Sequence, residues 1–277
     1  MSAGAVAIDQ RRRRERLRQQ LRILRVIAGT EYKLKYHESV LGYVWTVAKP
    51  LAMFAVLYTV FARFFKVNVG FAEYSLYLLI GIVLWYFFVD ATNLTMTSLV
   101  ARGPMLRKLA FPHIVIPLSV TLSSAMTFLV NLVVVGVFIA INQVSPEPSW
   151  LVLPLLLIEL MVFTFAVGLV LSAAFVRLRD VGQLWDLGCQ LLFFASPIMY
   201  PVGFLPPWAK LIAFVNPVVQ VMQDVRAVII GGPQAVTVSS VYGTAWAYLV
   251  PVGFSLLTLA FGLWRFDRES PWFAERV

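Results

Sequence analysis

Ser196-Pro197-Ile198-Met199-Tyr200-Pro201, Phe204-Leu205-Pro206-Pro207-Trp208, Asn216-Pro217 and Gly231-Gly232-Pro233 punctuate an apolar stretch that would otherwise read as one membrane helix. Proline lacks the amide donor and disfavours helix at the residue before it, so the spacing predicts two short helices, over 208–215 and 217–230. Neither is long enough to cross about 30 Å of hydrocarbon. Irregular backbone at membrane depth survives only where protein buries it or water lines it, so the broken hairpin points to the mouth of a pathway.

Working outward, the 277 residues are 60% hydrophobic and 13% charged, with a mean hydropathy of +0.81, the composition of an integral membrane protein. The formal net charge of +9 does not indicate nucleic acid, because the basic residues sit between apolar runs and no nucleic-acid fold signature accompanies them. The single Cys189 excludes an intrachain disulfide and a cysteine metal cluster, and His37 and His113 alone argue against a histidine metal site. No apolar run opens the chain, so no cleavable signal peptide is expected.

The predicted fold class is an all-α integral membrane protein with six spans, near 50–66, 75–97, 114–141, 151–176, 183–200 and 244–264. Residues 201–232 are expected to re-enter from the outer face. With both termini cytosolic, all but four of the 23 Lys and Arg fall inside, the exceptions being Arg63, Lys66, Lys210 and Arg226. Counting the hairpin as a seventh span would put the arginine-bearing C-terminus outside, against the positive-inside rule. The chain thus reads as a single transmembrane domain over 1–277. It comprises a cytosolic segment 1–48, five spans over 50–200, the hairpin 201–232, a sixth span 244–264 and a cytosolic tail 265–277.

In the N-terminal segment Leu17, Leu21, Leu24 and Ile27 share a helical stripe while Arg13, Arg16, Arg18, Arg22 and Arg25 cover the rest, the pattern of a helix lying in the membrane surface. It serves either as a positive topology anchor on anionic lipid or as a docking surface. A second stripe, Tyr32, Tyr36, Val40, Tyr43 and Val47, is expected to lie flat before a turn at Lys49-Pro50. Trp150, Trp208, Trp246 and Trp264 fall at span ends, where indoles anchor at the interface.

There is no Gly-x-x-x-x-Gly-Lys-Ser/Thr phosphate loop, so any ATP engine is another polypeptide. No His-Glu-x-x-His, Gly-x-Ser-x-Gly or Asp-rich cluster supports an intramembrane enzyme. Glu159 is the one carboxylate well inside a span, with Asp90 and Asp186 nearer the cytosolic ends, which weakly motivates ion coupling. Glu159 and Asn131 lie at similar depth on neighbouring spans, and a hydrogen bond between them is expected.

Four segments together resemble the ABC-2 type permeases that export polysaccharides. The first is Tyr36-His37-Glu38-Ser39-Val40-Leu41-Gly42-Tyr43-Val44-Trp45 with Pro50 and Tyr58-Thr59-Val60-Phe61. The second is Leu79-Ile80-Gly81-Ile82-Val83-Leu84-Trp85-Tyr86-Phe87-Phe88 with Asn93, followed by Leu106-Arg107-Lys108-Leu109-Ala110-Phe111-Pro112 and Pro117. Val176-Arg177-Leu178-Arg179-Asp180-Val181 is the third, and the proline-broken stretch is the fourth.

This resemblance implies the membrane subunit of an O-antigen, teichoic-acid or cell-wall galactan type exporter. The subunit would work as a homodimer with two separate ATP-binding subunits, which carry the ATP and Mg, and would enclose a channel for a lipid-linked polysaccharide. It implies ATPase coupling at Arg102, Arg107, Lys108, Phe111 and Pro112, with Arg177, Arg179 and Asp180 as a second contact; ordinary positive-inside charge is the plainer reading of both loops. A sugar pathway is sought among aromatics, whose faces stack on C–H surfaces: Tyr58, Phe61, Trp85, Tyr86, Phe193, Phe194 and Tyr200. Packing or interfacial anchoring is the commoner role of any one of them. Trp208, Asn216, Pro217, Asp224 and Arg226 would form an outer gate, with Asp224 and Arg226 alternatively solvated. An ABC-2 exporter of drugs or lipids and an intramembrane glycan-processing enzyme are the competing readings.

Overall fold

The computed structural model describes residues 28–30, 42–64, 73–104, 112–232 and 236–276. The basic stripe of the N-terminal segment and the residues Arg107, Lys108 and Phe111 lie outside them.

Among the described residues five helical stretches are long and apolar enough to cross a membrane: Val44–Ala62, Tyr74–Ala101, Val115–Ile141, Pro148–Arg177 and Ala245–Trp272. Their helices are α1 (Gly42–Tyr58, continued by a wider π-helical turn Thr59–Phe64), α2 (Tyr74–Ala101), α3 (Val115–Ile141) and α4 (Leu153–Arg177). Then follow α5 (Val181–Ala195), the short pair α6 (Pro207–Ala213) and α7 (Pro217–Ile229), α8 (Val238–Tyr242), α9 (Leu249–Glu269) and α10 (Phe273–Arg276).

Two expectations need correction. The chain does not turn at Lys49-Pro50; Pro50 sits inside α1. A proline removes one helical hydrogen bond, and a membrane helix tolerates that loss where breaking the helix would free still more backbone groups. The fifth span is shorter than expected: α5 stops at Ala195, and its 15 residues extend about 22 Å at 1.5 Å per residue. Pro197 and Pro201 explain the stop, and residues 196–201 carry the chain onward without helix.

Cross-contacts fix the relative directions of the helices. Phe88 stacks on Phe163, and a Cβ on Gly168 would strike the Thr95 side chain, so α2 and α4 run parallel. Phe163 faces Phe254, Gly262 sits against the Ala166 carbonyl, and Arg177 pairs with Glu269, so α4 and α9 are parallel too. Phe87 stacks on Phe128 while Thr95 and Thr121 share a 2.9 Å hydroxyl bond, which makes α3 antiparallel to α2. Trp85 meets Phe193, and the Trp185 indole donates to the Thr92 hydroxyl at 3.2 Å, which makes α5 antiparallel as well. Since α4 and α9 end on the same side, the segment between them makes one net crossing, supplied by α5. The α6–α7 pair, bent by 101°, therefore belongs to the end of the bundle where α2 begins.

Helix α2 is the axis of this arrangement. Its apolar window is 78% buried against 6% for that of α1, which lies at the periphery with Val44, Trp45 and Val56 exposed. Close approach depends on missing side chains at Gly168 and Gly262, the usual device of membrane helices. Gly81 is the tightest case: a Cβ there would overlap the Arg226 guanidinium from α7. Gly81→Val is therefore expected to lower stability by about 1–3 kcal/mol, the usual cost of overpacking. Gly136→Val, where nothing lies within 4 Å, should be near neutral. Melting of the two purified variants in detergent checks the contrast.

Candidate functional site

The hairpin at one end of the bundle follows from its prolines. Pro207 and Pro217 each occupy a first helical position, where a missing N–H costs nothing. The Asn216 side chain caps α7, its Oδ1 accepting from the Val218 N–H at 3.0 Å. Gly231 and Gly232 take positive φ just past the end of α7, a conformation open to glycine without Cβ strain. The predicted helices 208–215 and 217–230 are observed as Pro207–Ala213 and Pro217–Ile229.

Arg226 on α7 locks this hairpin to the body. Its side chain is nearly inaccessible, at 2% exposure. It donates from Nε to the Tyr77 carbonyl at 3.0 Å, from Nη1 to the Pro197 carbonyl at 2.7 Å and from Nη2 to the Ile198 carbonyl at 2.7 Å. Its Cζ lies 3.5 Å from the centroid of the Tyr77 ring, within cation–π range. The guanidinium thus joins α7, the turn after α5 and the first turns of α2. Tyr74 and Tyr77 reinforce the same turn by donating their hydroxyls to the carbonyls of Met199 (2.8 Å) and Tyr200 (3.3 Å).

Asp224, 4% exposed, takes a hydrogen bond from Gln220 Nε2 at 2.6 Å and another from the Tyr248 hydroxyl at 3.1 Å. Both Asp224 and Arg226 are buried, which removes the solvated alternative. Glu159 does not bond Asn131 as expected: its carboxyl is set against Gln220, near Asp224. Asn131 instead donates to the Thr127 carbonyl of its own helix at 3.4 Å. Gln220, whose Nε2 donates to Asp224, comes to Glu159 from the hairpin side, a neighbour invisible to depth matching between neighbouring spans. Trp208 is exposed at the hairpin surface, as are Trp246 and Trp264 at span ends, whereas Trp150 is half-buried.

The candidate aromatics divide into two groups. Phe54, Tyr58, Tyr74 and Tyr77 form a stacked series with centroid separations of 5.6, 6.3 and 6.4 Å, ending on Arg226. Phe61, on the same helix end as Tyr58, is half-buried. Deeper in the bundle Trp85 packs edge-on to Phe193 at 6.1 Å, and both are buried; Phe194, T-shaped on Phe193, is exposed. Tyr86 and Tyr200 are half-buried, and the Tyr200 hydroxyl donates to the Phe194 and Ala195 carbonyls, closing the end of α5.

The opposite end of the bundle carries the charged loops. Arg102 follows α2, and Pro112 is exposed before α3. Arg177, Arg179 and Asp180 are exposed in the α4–α5 connection, with Arg179 over the Phe175 ring at 5.1 Å. His113 Nδ1 lies 2.8 Å from the Ser270 hydroxyl, which draws the α2–α3 loop and the C-terminal elements together. Sequence reasoning missed that link, and also missed Tyr74, Tyr77 and Gly81 as partners of Arg226. Among the described residues no group of three or more His, Cys, Asp or Glu side chains assembles into a metal site.

A multi-pass helical membrane protein with a charged loop face at one end and a broken, internally locked hairpin at the other has the layout of a transporter's membrane subunit. Residues 23–230 match the ABC-2 type transporter family, and the chain belongs to it. It is 29% identical over 235 residues to the O-antigen export system permease protein RfbA of Klebsiella pneumoniae, covering 84% of this chain and 90% of that one. A second Klebsiella pneumoniae protein of that name is 29% identical over 76% of this chain and 81% of its own length. A Myxococcus xanthus RfbA is 27% identical over 72% and 76% respectively. Membership makes this chain a transporter subunit rather than an enzyme.

Because Arg226 satisfies three carbonyls through a planar fork, a point charge is a poor substitute. Arg226→Lys is expected to lose at least one charge-assisted bond and about 2 kcal/mol of stability. A melting temperature in detergent equal to wild type would contradict the clamp.

Proposed function

We propose that the chain is the channel subunit of an ATP-driven exporter that moves a lipid-linked polysaccharide out of the cytosol across the inner membrane. It acts as a homodimer with two copies of a separate ATP-binding subunit. The observation that carries this reading is the polarity of the bundle in a chain whose relatives are named O-antigen export permeases: charged loops gather at one end and the clamped hairpin at the other. Gly42 and the C-terminal arginines emerge at the loop end, which favours both termini in the cytosol. The hairpin then re-enters from the outer side as a gate formed by Trp208, Asn216, Pro217, Asp224 and Arg226.

Energy enters at the loop face. Arg102, Arg107, Lys108, Phe111 and Pro112, with Arg177, Arg179 and Asp180, meet the ATP-binding subunit, which supplies ATP and Mg. An engine shifts a permease only by contacting its two states differently, so these contacts change when nucleotide closes the ATPase. Exposed apolar faces support pairing: Val44, Trp45 and Val56 on α1, and Leu184, Leu187, Leu191 and Phe194 on α5. Between two such copies Tyr58, Phe61, Tyr86, Phe194 and Tyr200 line the sugar track, with Trp85 and Phe193 backing it from within each protomer. The resemblance to cell-wall galactan exporters makes such a galactan one candidate for the polymer.

The test is reconstitution of the chain with its ATP-binding subunit in vesicles. Arg107→Glu with Lys108→Glu should cut glycan export about tenfold or more while leaving the protein folded, the scale of a coupling energy of 1–3 kcal/mol. Unchanged export would overturn the coupling assignment. Stimulation of ATP hydrolysis by small amphiphiles but not by lipid-linked glycan would overturn the substrate.

A further inference from the structure

At the loop end, between the last turns of α4 and α9, lies a pocket of about 480 Å³ of which the transport reading uses Arg177 alone. Arg177, Arg265, Arg268, Glu269, Phe261, Trp264 and Trp272 form its wall. Three guanidinium groups share the pocket with one carboxylate. Glu269, buried, is held by Arg177 Nε at 2.9 Å and by Arg265 Nε at 3.4 Å, and Arg268 lies 5.7 Å over the Trp264 ring. One carboxylate offsets one of the three cations, so the pocket keeps a surplus of two positive charges on forked donors suited to phosphate oxygens.

The surroundings of that charge select the ligand. Trp264 and Trp272 are half-exposed, at the level where indoles sit in the interface. Phe254, Leu257 and Phe261 are exposed along the same face of α9, and with Trp264 they form an apolar stripe running from the pocket toward mid-membrane. A cationic cup at the head of an apolar stripe matches an amphiphile with an anionic head and a hydrocarbon tail. A soluble anion would leave the stripe unused, and a docking protein would have to cover it.

We propose that this pocket binds the phosphate of an anionic membrane lipid, with one acyl chain lying along the α9 stripe. The lipid bridges the ends of α4 and α9, and its phosphodiester lowers the surplus around Glu269 from two positive charges to one. The surface potential of an anionic leaflet reinforces such binding. The proposal requires only that the chain spans a membrane, so it stands or falls separately from the identity of the exported substrate.

The experiment uses the full-length chain purified in a neutral maltoside detergent and titrated with phosphatidylglycerol or phosphatidylcholine, with retained lipid counted by native mass spectrometry. Wild type should retain one phosphatidylglycerol per chain in preference to phosphatidylcholine. Arg265→Gln with Arg268→Gln should weaken that retention about thirtyfold, since each basic side chain near the surface contributes on the order of 1 kcal/mol to anionic-lipid binding. Arg268→Gln alone, which leaves both Glu269 ion pairs in place, should show part of the loss with an unchanged gel-filtration profile and melting temperature. Lys210→Gln, on the hairpin at the other end, should retain lipid as wild type does. Equal retention of the two lipids, or wild-type retention by both arginine variants, would overturn the proposal. Displacement of phosphatidylglycerol by inorganic phosphate would do the same by making this a free-anion site, and displacement by the ATP-binding subunit would make it a protein contact.

Discussion

The architecture depends on one buried cation answering a deficit of hydrogen-bond donors. Prolines at 197 and 201 end α5 and leave carbonyls facing the protein interior with no helical N–H to meet them. In a bilayer no water substitutes for the missing donor, so such a turn is costly unless protein supplies one. Arg226 supplies three N–H groups from a neighbouring helix. The exchange is mutual, since a buried guanidinium is itself costly without strong partners. Its partners among the described residues are carbonyl dipoles and the Tyr77 ring rather than a carboxylate. Removing either side of the arrangement would leave the other stranded.

The position of α7 follows from that clamp, and the polar layer around it follows from the position. With Arg226 seated against Gly81, the face of α7 carrying Gln220 and Asp224 turns toward α4 and toward Tyr248. Glu159 thereby gains an amide neighbour on the hairpin instead of one on α3. Side-chain pairs along α2, α4 and α9 set the directions, and the loops bearing Arg102, Pro112, Arg177 and Arg179 fall together at the far end as a result.

Local rules were readable in the sequence and long-range ones were not. The hairpin helices came out within a residue or two because proline, asparagine and glycine act on their immediate neighbours. Five of the spans were legible from apolar length. Pro50 misled, because the same local rule is overridden when the alternative is unsatisfied backbone in lipid. Arg226 was singled out for its place in an apolar element, yet its partners lie 28 to 149 residues away in the chain, and no periodicity reports them. The available signal was chemical: a lone arginine in a membrane hairpin beside a turn known to lack amide donors. The Glu159–Asn131 pairing failed for the related reason that equal depth on two helices says nothing about which faces meet.

The uneven packing of α5 has a mechanical consequence. This helix is pinned at its far end by Tyr200 and the Arg226 clamp, and begins at the exposed Arg179-Asp180 corner. Between those points it leans on the body mainly through Trp185, Cys189 and Phe193, while Leu184, Leu187 and Leu191 face away. Such a rod behaves as a lever with its fulcrum at Pro197. A force at the corner would meet only that narrow seam of side chains, and the displacement would grow with distance from the fulcrum.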